Sequence, residues 1–133
     1  MPNFQYASEW LNFARKRLET AKLLLRENHY TDIIAIELHQ TLEKSLKAIL
    51  AFNTVKIIRT HNLMELHKKC SQFLDISELD PDSIVEINDY FESERYPGPK
   101  YALPEIAEIE KNLAVCDRVY GSIANYIKKT TTG

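Results

Sequence analysis

The sequence predicts an all-α protein, an up-and-down helical bundle of about five helices. Apolar residues recur at three- and four-residue steps through most of the chain, and no segment carries a convincing strand period. The breaks between periodic segments hold helix-start and turn residues. Helices of this length joined by short connections pack as antiparallel neighbours, so the longer first, second and fifth helices should form the frame.

The first helix carries Trp10, Phe13, Ala14, Leu18, Ala21, Leu24 and Leu25 on one stripe, with Arg15, Lys16, Lys22 and Arg26 turned away. Glu27-Asn28-His29 ends it, and Thr31 or Asp32 can cap the second helix by accepting from a free backbone N–H. That helix aligns Ala35, Leu38, Leu42, Leu46 and Ile49, while Ile34, Ile36 and Leu50 widen its apolar surface beyond one face. It should be the central helix or lie against a second subunit. Asn53 to Thr60 reads as a loop, although Val55-Lys56-Ile57-Ile58 is β-branched enough to be extended. Asn62 with Glu65 forms a capping-box signal ahead of Leu63, Leu66, Cys70, Phe73 and Leu74. Asp80-Pro81-Asp82 opens the fourth helix, which buries Ile84, Ile87 and Phe91. Pro104 opens the fifth, whose stripe runs through Ile106, Ile109, Leu113, Cys116, Tyr120, Ile123 and Ile127. Lys128 and Lys129 suit its carbonyl end.

A chain of 133 residues is about one domain long, so residues 1–133 are expected to form a single helical-bundle domain. With 44% hydrophobic and 27% charged residues, the composition is that of an ordinary globular protein rather than a disordered one. No apolar run is long enough to cross a bilayer and the first residues lack a signal-peptide pattern, which points to a cytoplasmic protein with no membrane partner. Seventeen basic against 19 acidic residues exclude the broad basic footprint of a nonspecific nucleic-acid binder, so any RNA contact must be local. Cys70 and Cys116 fall on apolar stripes and read as core thiols. His29, His39, His61 and His67 lack zinc-ligand spacing, so no metal and no cofactor is expected.

Glu92 to Lys100 interrupts the helical pattern with Pro97, Gly98 and Pro99, through which no helix can run. The plain reading is a rigid connector. The functional reading is that Arg95, Tyr96 and Lys100 present a patch for an anionic, planar ligand such as a nucleotide or RNA. His61 is the fourth candidate binding residue, although Thr60-His61-Asn62 is more simply a capping segment. Glu43 and Lys47, at i and i+4 beside Lys44, read as a solvated, self-paired helix face. The acidic run Asp75, Glu78, Asp80, Asp82 and Glu86 is mostly loop and helix-start chemistry.

Three segments stand in order: His39 to Leu50, with its Gln40, Glu43-Lys44 and Lys47-Ala48; Thr60-His61-Asn62-Leu63; and Arg95-Tyr96-Pro97. Together they resemble the HEPN family, the higher eukaryotes and prokaryotes nucleotide-binding domain. The resemblance covers nearly the whole chain. It implies a helical bundle, often a homodimer, in a prokaryotic setting beside a minimal nucleotidyltransferase partner, the pair acting as toxin and antitoxin. Many members are ribonucleases with an Arg and a His separated by four to six residues. Here Arg26 precedes His29 too closely, Arg59 is too close to His61 and too far from His67, and no His follows Arg95, the positions where its partner would fall holding Lys100, Tyr101 and Ala102. RNA cleavage needs an imidazole-like base and acid, and Lys and Tyr titrate too high. The expectation is therefore a non-catalytic nucleotide- or RNA-binding module with no catalytic residues assigned, the alternatives being a metal-independent ribonuclease toxin and a structural adaptor.

Overall fold

The protein, described by a computed structural model, is defined at residues 2–95 and 103–132, with the backbone alone at 93–95 and 131–132. Its helices are α1 (Phe4–Arg26), α2 (Thr31–Phe52), α3 (Leu63–Cys70), α4 (Pro81–Arg95) and α5 (Ile106–Thr132), and no strand occurs among the described residues. The Val55–Ile58 run has no regular structure and packs its apolar side chains against the core.

Asn3 starts α1 by accepting from the Tyr6 N–H at 2.9 Å. The buried stripe of α1 is narrow and built of Ala7, Ala14 and Ala21 with Leu18. Alanines seven residues apart leave no bulk on that face, so α1 lies close along α2. Trp10 is partly buried and Phe13 exposed, which narrows the expected stripe. Both ends of α2 are set by left-handed residues, Asn28 at φ 56° before it and Thr54 at φ 58° after it. In each case a following N–H closes the finished helix, His29 onto the Leu24 carbonyl at 2.9 Å and Val55 onto Leu50 at 3.0 Å. The start of α2 departs from expectation. Its N-cap is the extended Tyr30, no side chain caps it, and Thr31 is already the first helical residue.

The α3 and α4 starts follow the sequence. Asn62 Oδ1 accepts from Met64 and Glu65 N–H at 3.0 and 3.2 Å, and Asp80 Oδ1 accepts from Ser83 N–H at 2.9 Å. Glu65 does not complete the reciprocal half of the box, because its carboxylate takes the Thr60 hydroxyl at 3.3 Å. α5 begins at Ile106, two residues past Pro104.

The topology is up and down. Asn3 N–H donates to the Phe52 carbonyl at 2.8 Å, placing the start of α1 beside the end of α2. The α2 and α5 helices run the same way, with Leu38 against Cys116 and Asn53 against Tyr126. α2 touches all four other helices, so its surplus of apolar surface is covered within the chain. The thiols of Cys70 and Cys116 are free and buried, and burial pushes both up to about 12.

The face of α5 is turned from the expected one. Ile109, Asn112, Val115, Cys116, Val119, Ile123 and Ile127 are buried, whereas Leu113 and Tyr120 sit at the margin. Asn112 tolerates burial because its side-chain N–H₂ reaches the Tyr90 hydroxyl at 2.9 Å and Glu86 Oε1 at 3.2 Å.

Candidate functional site

His39, Glu43 and Lys47 follow one another at four-residue steps on α2, in the middle of its apolar surface. All three are buried, with 0%, 1% and 7% of their surface exposed. The Glu43-Lys47 pair is therefore not the solvated face that its spacing suggests. It is covered from α1 by Trp10, over whose ring the Lys47 ammonium lies at 5.6 Å, and by the segment leading into α3.

A carboxylate at that depth must be fully hydrogen-bonded. Glu43 Oε1 accepts from His61 Nδ1 at 2.9 Å, and Oε2 accepts from Lys47 Nζ at 2.9 Å and more distantly from Lys44 at 3.5 Å. Lys44 is also tied to Gln40 Oε1 at 2.9 Å. Burial alone would raise the Glu43 carboxyl, but the His61 and Lys47 hydrogen bonds and the two ammonium charges together hold it below its ordinary range. It is an anion.

The His39 ring donates through Nε2 to the His61 backbone carbonyl at 3.0 Å, which fixes the segment carrying His61. Its Nδ1 is buried without a hydrogen bond among the described residues, 3.7 Å from Glu43 Oε1. That separation is too long for a hydrogen bond, and burial lowers the ring to about 4, so His39 is neutral and forms no ion pair with Glu43. Phe91 of α4 completes the setting. Its ring stacks on His61 at 4.4 Å and on His39 at 5.2 Å.

His61 is thus pinned on one side and open on the other, with its side chain 53% exposed. Donation from Nδ1 leaves the lone pair on Nε2, the tautomer that a carboxylate-oriented histidine uses to accept a proton. Arg95 is the last residue of α4, one helical turn beyond Phe91. Its side chain, and Tyr96 and Lys100 entirely, lie outside the described residues. Of the two readings of His61, binding residue or capping segment, the capping is done by Asn62, and His61 binds Glu43. Sequence reasoning missed Glu43, Lys47, His39 and Phe91 as members of the cluster. The available signal was three polar residues at i, i+4 and i+8 inside an apolar helix. Three of the five acids of the run are engaged within the fold: Asp80 caps α4, Glu78 accepts from Ser122 at 2.7 Å, and Glu86 pairs with Lys111 at 2.8 Å.

This cluster makes the fold acid-sensitive. A histidine lowered from 6.5 to about 4 stays neutral in the fold while the unfolded chain takes up a proton, so stability drops as pH falls from 6.5 to 4. The shift corresponds to about 3 kcal/mol. Glu43, depressed in the fold, adds stability above its unfolded value of 4.5 that is lost as pH falls through its folded value, in the same direction. Urea unfolding at pH 7 and pH 4 should show this loss, and His39→Phe should flatten most of it. An unchanged pH slope in His39→Phe would contradict the neutral buried ring.

Among the described residues no helix is long and apolar enough to cross a membrane, and no group of three or more His, Cys, Asp or Glu is placed to hold a metal ion. The profile of the HEPN domain matches residues 7–126. A Methanocaldococcus jannaschii protein named "Putative toxin MJ1304" is 29% identical over 109 residues, which cover 80% of this chain and 70% of that protein. The fold is similar to the crystal structure of ST0689, an archaeal HEPN homologue, with a TM-score of 0.72 at 17% identity over 92% of this chain and 98% of that one. The profile match over nearly the whole helical bundle settles the family: this chain belongs to the HEPN domain family.

Proposed function

We propose that residues 1–133 form one HEPN module of the toxin–antitoxin kind that binds a nucleotide or an RNA element and acts as a dimer beside a nucleotidyltransferase partner. The carrying observation is the half-exposed His61, held by the buried Glu43 carboxylate and stacked on Phe91 one turn before Arg95. The Arg95 guanidinium and Lys100 ammonium supply charge for phosphate, Tyr96 a face for a base, and His61 Nε2 an acceptor for a ribose hydroxyl. The similarity to a protein named as a toxin supports the toxin–antitoxin setting. The dimer no longer rests on α2, whose apolar surplus is covered. It rests on apolar side chains left exposed elsewhere, Phe13, Leu23 and Tyr30 among them.

One observation favours the ribonuclease reading as second. The Glu43–His61 pair provides the imidazole base that the sequence lacks at the usual distance from Arg95. His61 Nε2 would take the 2′-hydroxyl proton as that oxygen attacks phosphorus, Glu43 would stabilise the imidazolium, and the departing 5′-oxygen would be protonated by a second acid.

Titration of a short RNA and of ATP against wild type, Arg95→Ala and His61→Gln tests both readings. Binding that weakens by about 1–3 kcal/mol in Arg95→Ala, without cleavage, supports the module. Metal-independent cleavage reduced about 10²–10⁴-fold in His61→Gln would put the ribonuclease first. Absence of both binding and cleavage in wild type would leave the adaptor. A monomeric mass by light scattering at micromolar concentration would remove the dimer.

A further inference from the structure

We propose that the groove between α1 and the 54–59 segment is a second binding site, separate from His61, for a small planar anion: an aromatic base carrying a phosphate. The groove has a volume of about 660 Å³, within the range of small-molecule sites. Its wall on α1 is aromatic, with Tyr6 and Trp10 at an edge-to-face angle and 6.4 Å between centroids. The 54–59 segment contributes Lys56 and Arg59, both exposed and neither paired to a carboxylate among the described residues, together with the apolar Ile57 and Ile58. Lys47, buried on α2, lines it as well.

Three cations line this groove and no acid does. The Glu43 carboxylate behind Lys47 occupies one of its ammonium protons, and an ammonium has three to offer. The Trp10 indole N–H is buried and has no acceptor among the described residues. A buried donor left unpaired costs about 1–3 kcal/mol, which an acceptor atom of a bound ligand would relieve. The requirements therefore converge on one chemistry. The aromatic wall suits a flat ring, the indole N–H an acceptor on that ring or its phosphate, and the outer cations a charged group. An aliphatic anion would leave the ring faces unused, and an uncharged aromatic would leave Lys56 and Arg59 unused. The ligand can be a free mononucleotide or the phosphorylated end of an RNA strand, which share this chemistry.

Trp10 is the single tryptophan of the chain, so tryptophan emission reads this groove directly. AMP titrated into the full chain should give a saturable change in emission. Adenosine and inorganic phosphate, each half of the recognised group, should bind at least tenfold more weakly. The double variant Lys56→Glu/Arg59→Glu, at two exposed positions, should lose at least tenfold in affinity with an unchanged circular dichroism spectrum and melting temperature. The Trp10 emission change with AMP should persist in His61→Gln, where binding at the site proposed above is weakened, which separates the two sites. A 5′-phosphorylated oligoribonucleotide that binds more tightly than AMP identifies a strand end as the ligand, and the reverse order identifies a free nucleotide. No saturable change with AMP up to millimolar concentration overturns the proposal. So does phosphate binding as tightly as AMP, an unchanged affinity in the charge-reversed double variant, or loss of the signal in His61→Gln.

Discussion

Glu43→Ala should destabilise the protein by about 3–5 kcal/mol, the effect expected when one partner of a buried ion pair is removed. Lys47 would remain in place with 7% of its surface exposed and no anion to meet its ammonium. His61 would lose its Nδ1 acceptor as well, leaving the segment that covers the pair held by the His39 bond to its backbone and the Phe91 stack alone. Glu43→Gln keeps the shape and part of the hydrogen bonding and should cost less. The double variant Glu43→Leu/Lys47→Met removes both charges together and should recover much of the loss, since a buried pair replaced by apolar groups of similar volume is often neutral. Urea denaturation of the three proteins distinguishes these cases. A loss below about 1 kcal/mol in Glu43→Ala would mean that the carboxylate is hydrated and the cluster is open to water.

Ile123→Ala should cost about 2–5 kcal/mol, because its side chain is fully buried on the inner face of α5 and its removal leaves a cavity. Leu113→Ala, a position that helical periodicity alone would rank equally, should cost distinctly less. Leu113 lies at the margin of the core, where neighbouring side chains and solvent can fill the space. Equal losses in denaturant unfolding would restore the stripe through Leu113 and Tyr120 and reject the buried position of Asn112.

Those two residues also explain how far the sequence could be read. The periodicity that gave α5 its length left its rotation open, because apolar residues flank both edges of the true buried face. Asn112, a polar residue in the middle of the true buried face, argues against that face on pattern alone. A polar residue reads as outward-facing unless its partners are known, and Tyr90 and Glu86 lie on another helix. The starts of α3 and α4 were legible because caps act within three residues. Asn62 and Asp80 satisfy backbone donors beside them, whatever the rest of the chain does. Glu43 and Lys47 show the opposite case. An i, i+4 ion pair has the same spacing in water as under a lid, and what buries this one comes from Trp10 and His61, 33 residues upstream and 18 downstream of Glu43. Of the candidate site, His61 was named, but its partner was assigned to solvent.

The encasement of α2 sets how freely this sequence can drift. Fifteen of its 22 residues are buried, against four of 23 in α1. A substitution on the outer face of α1 meets water and is tolerated across most residue types. On α2 nearly every position touches another helix or the Glu43 cluster, so a change acceptable to one neighbour is felt by a second. Viable replacements there must come as compensated pairs, one on α2 and one on whichever helix it faces. The surface of the bundle should therefore accept substitutions more readily than α2, and it is α2 variants whose stability and binding carry the most information about what the site requires.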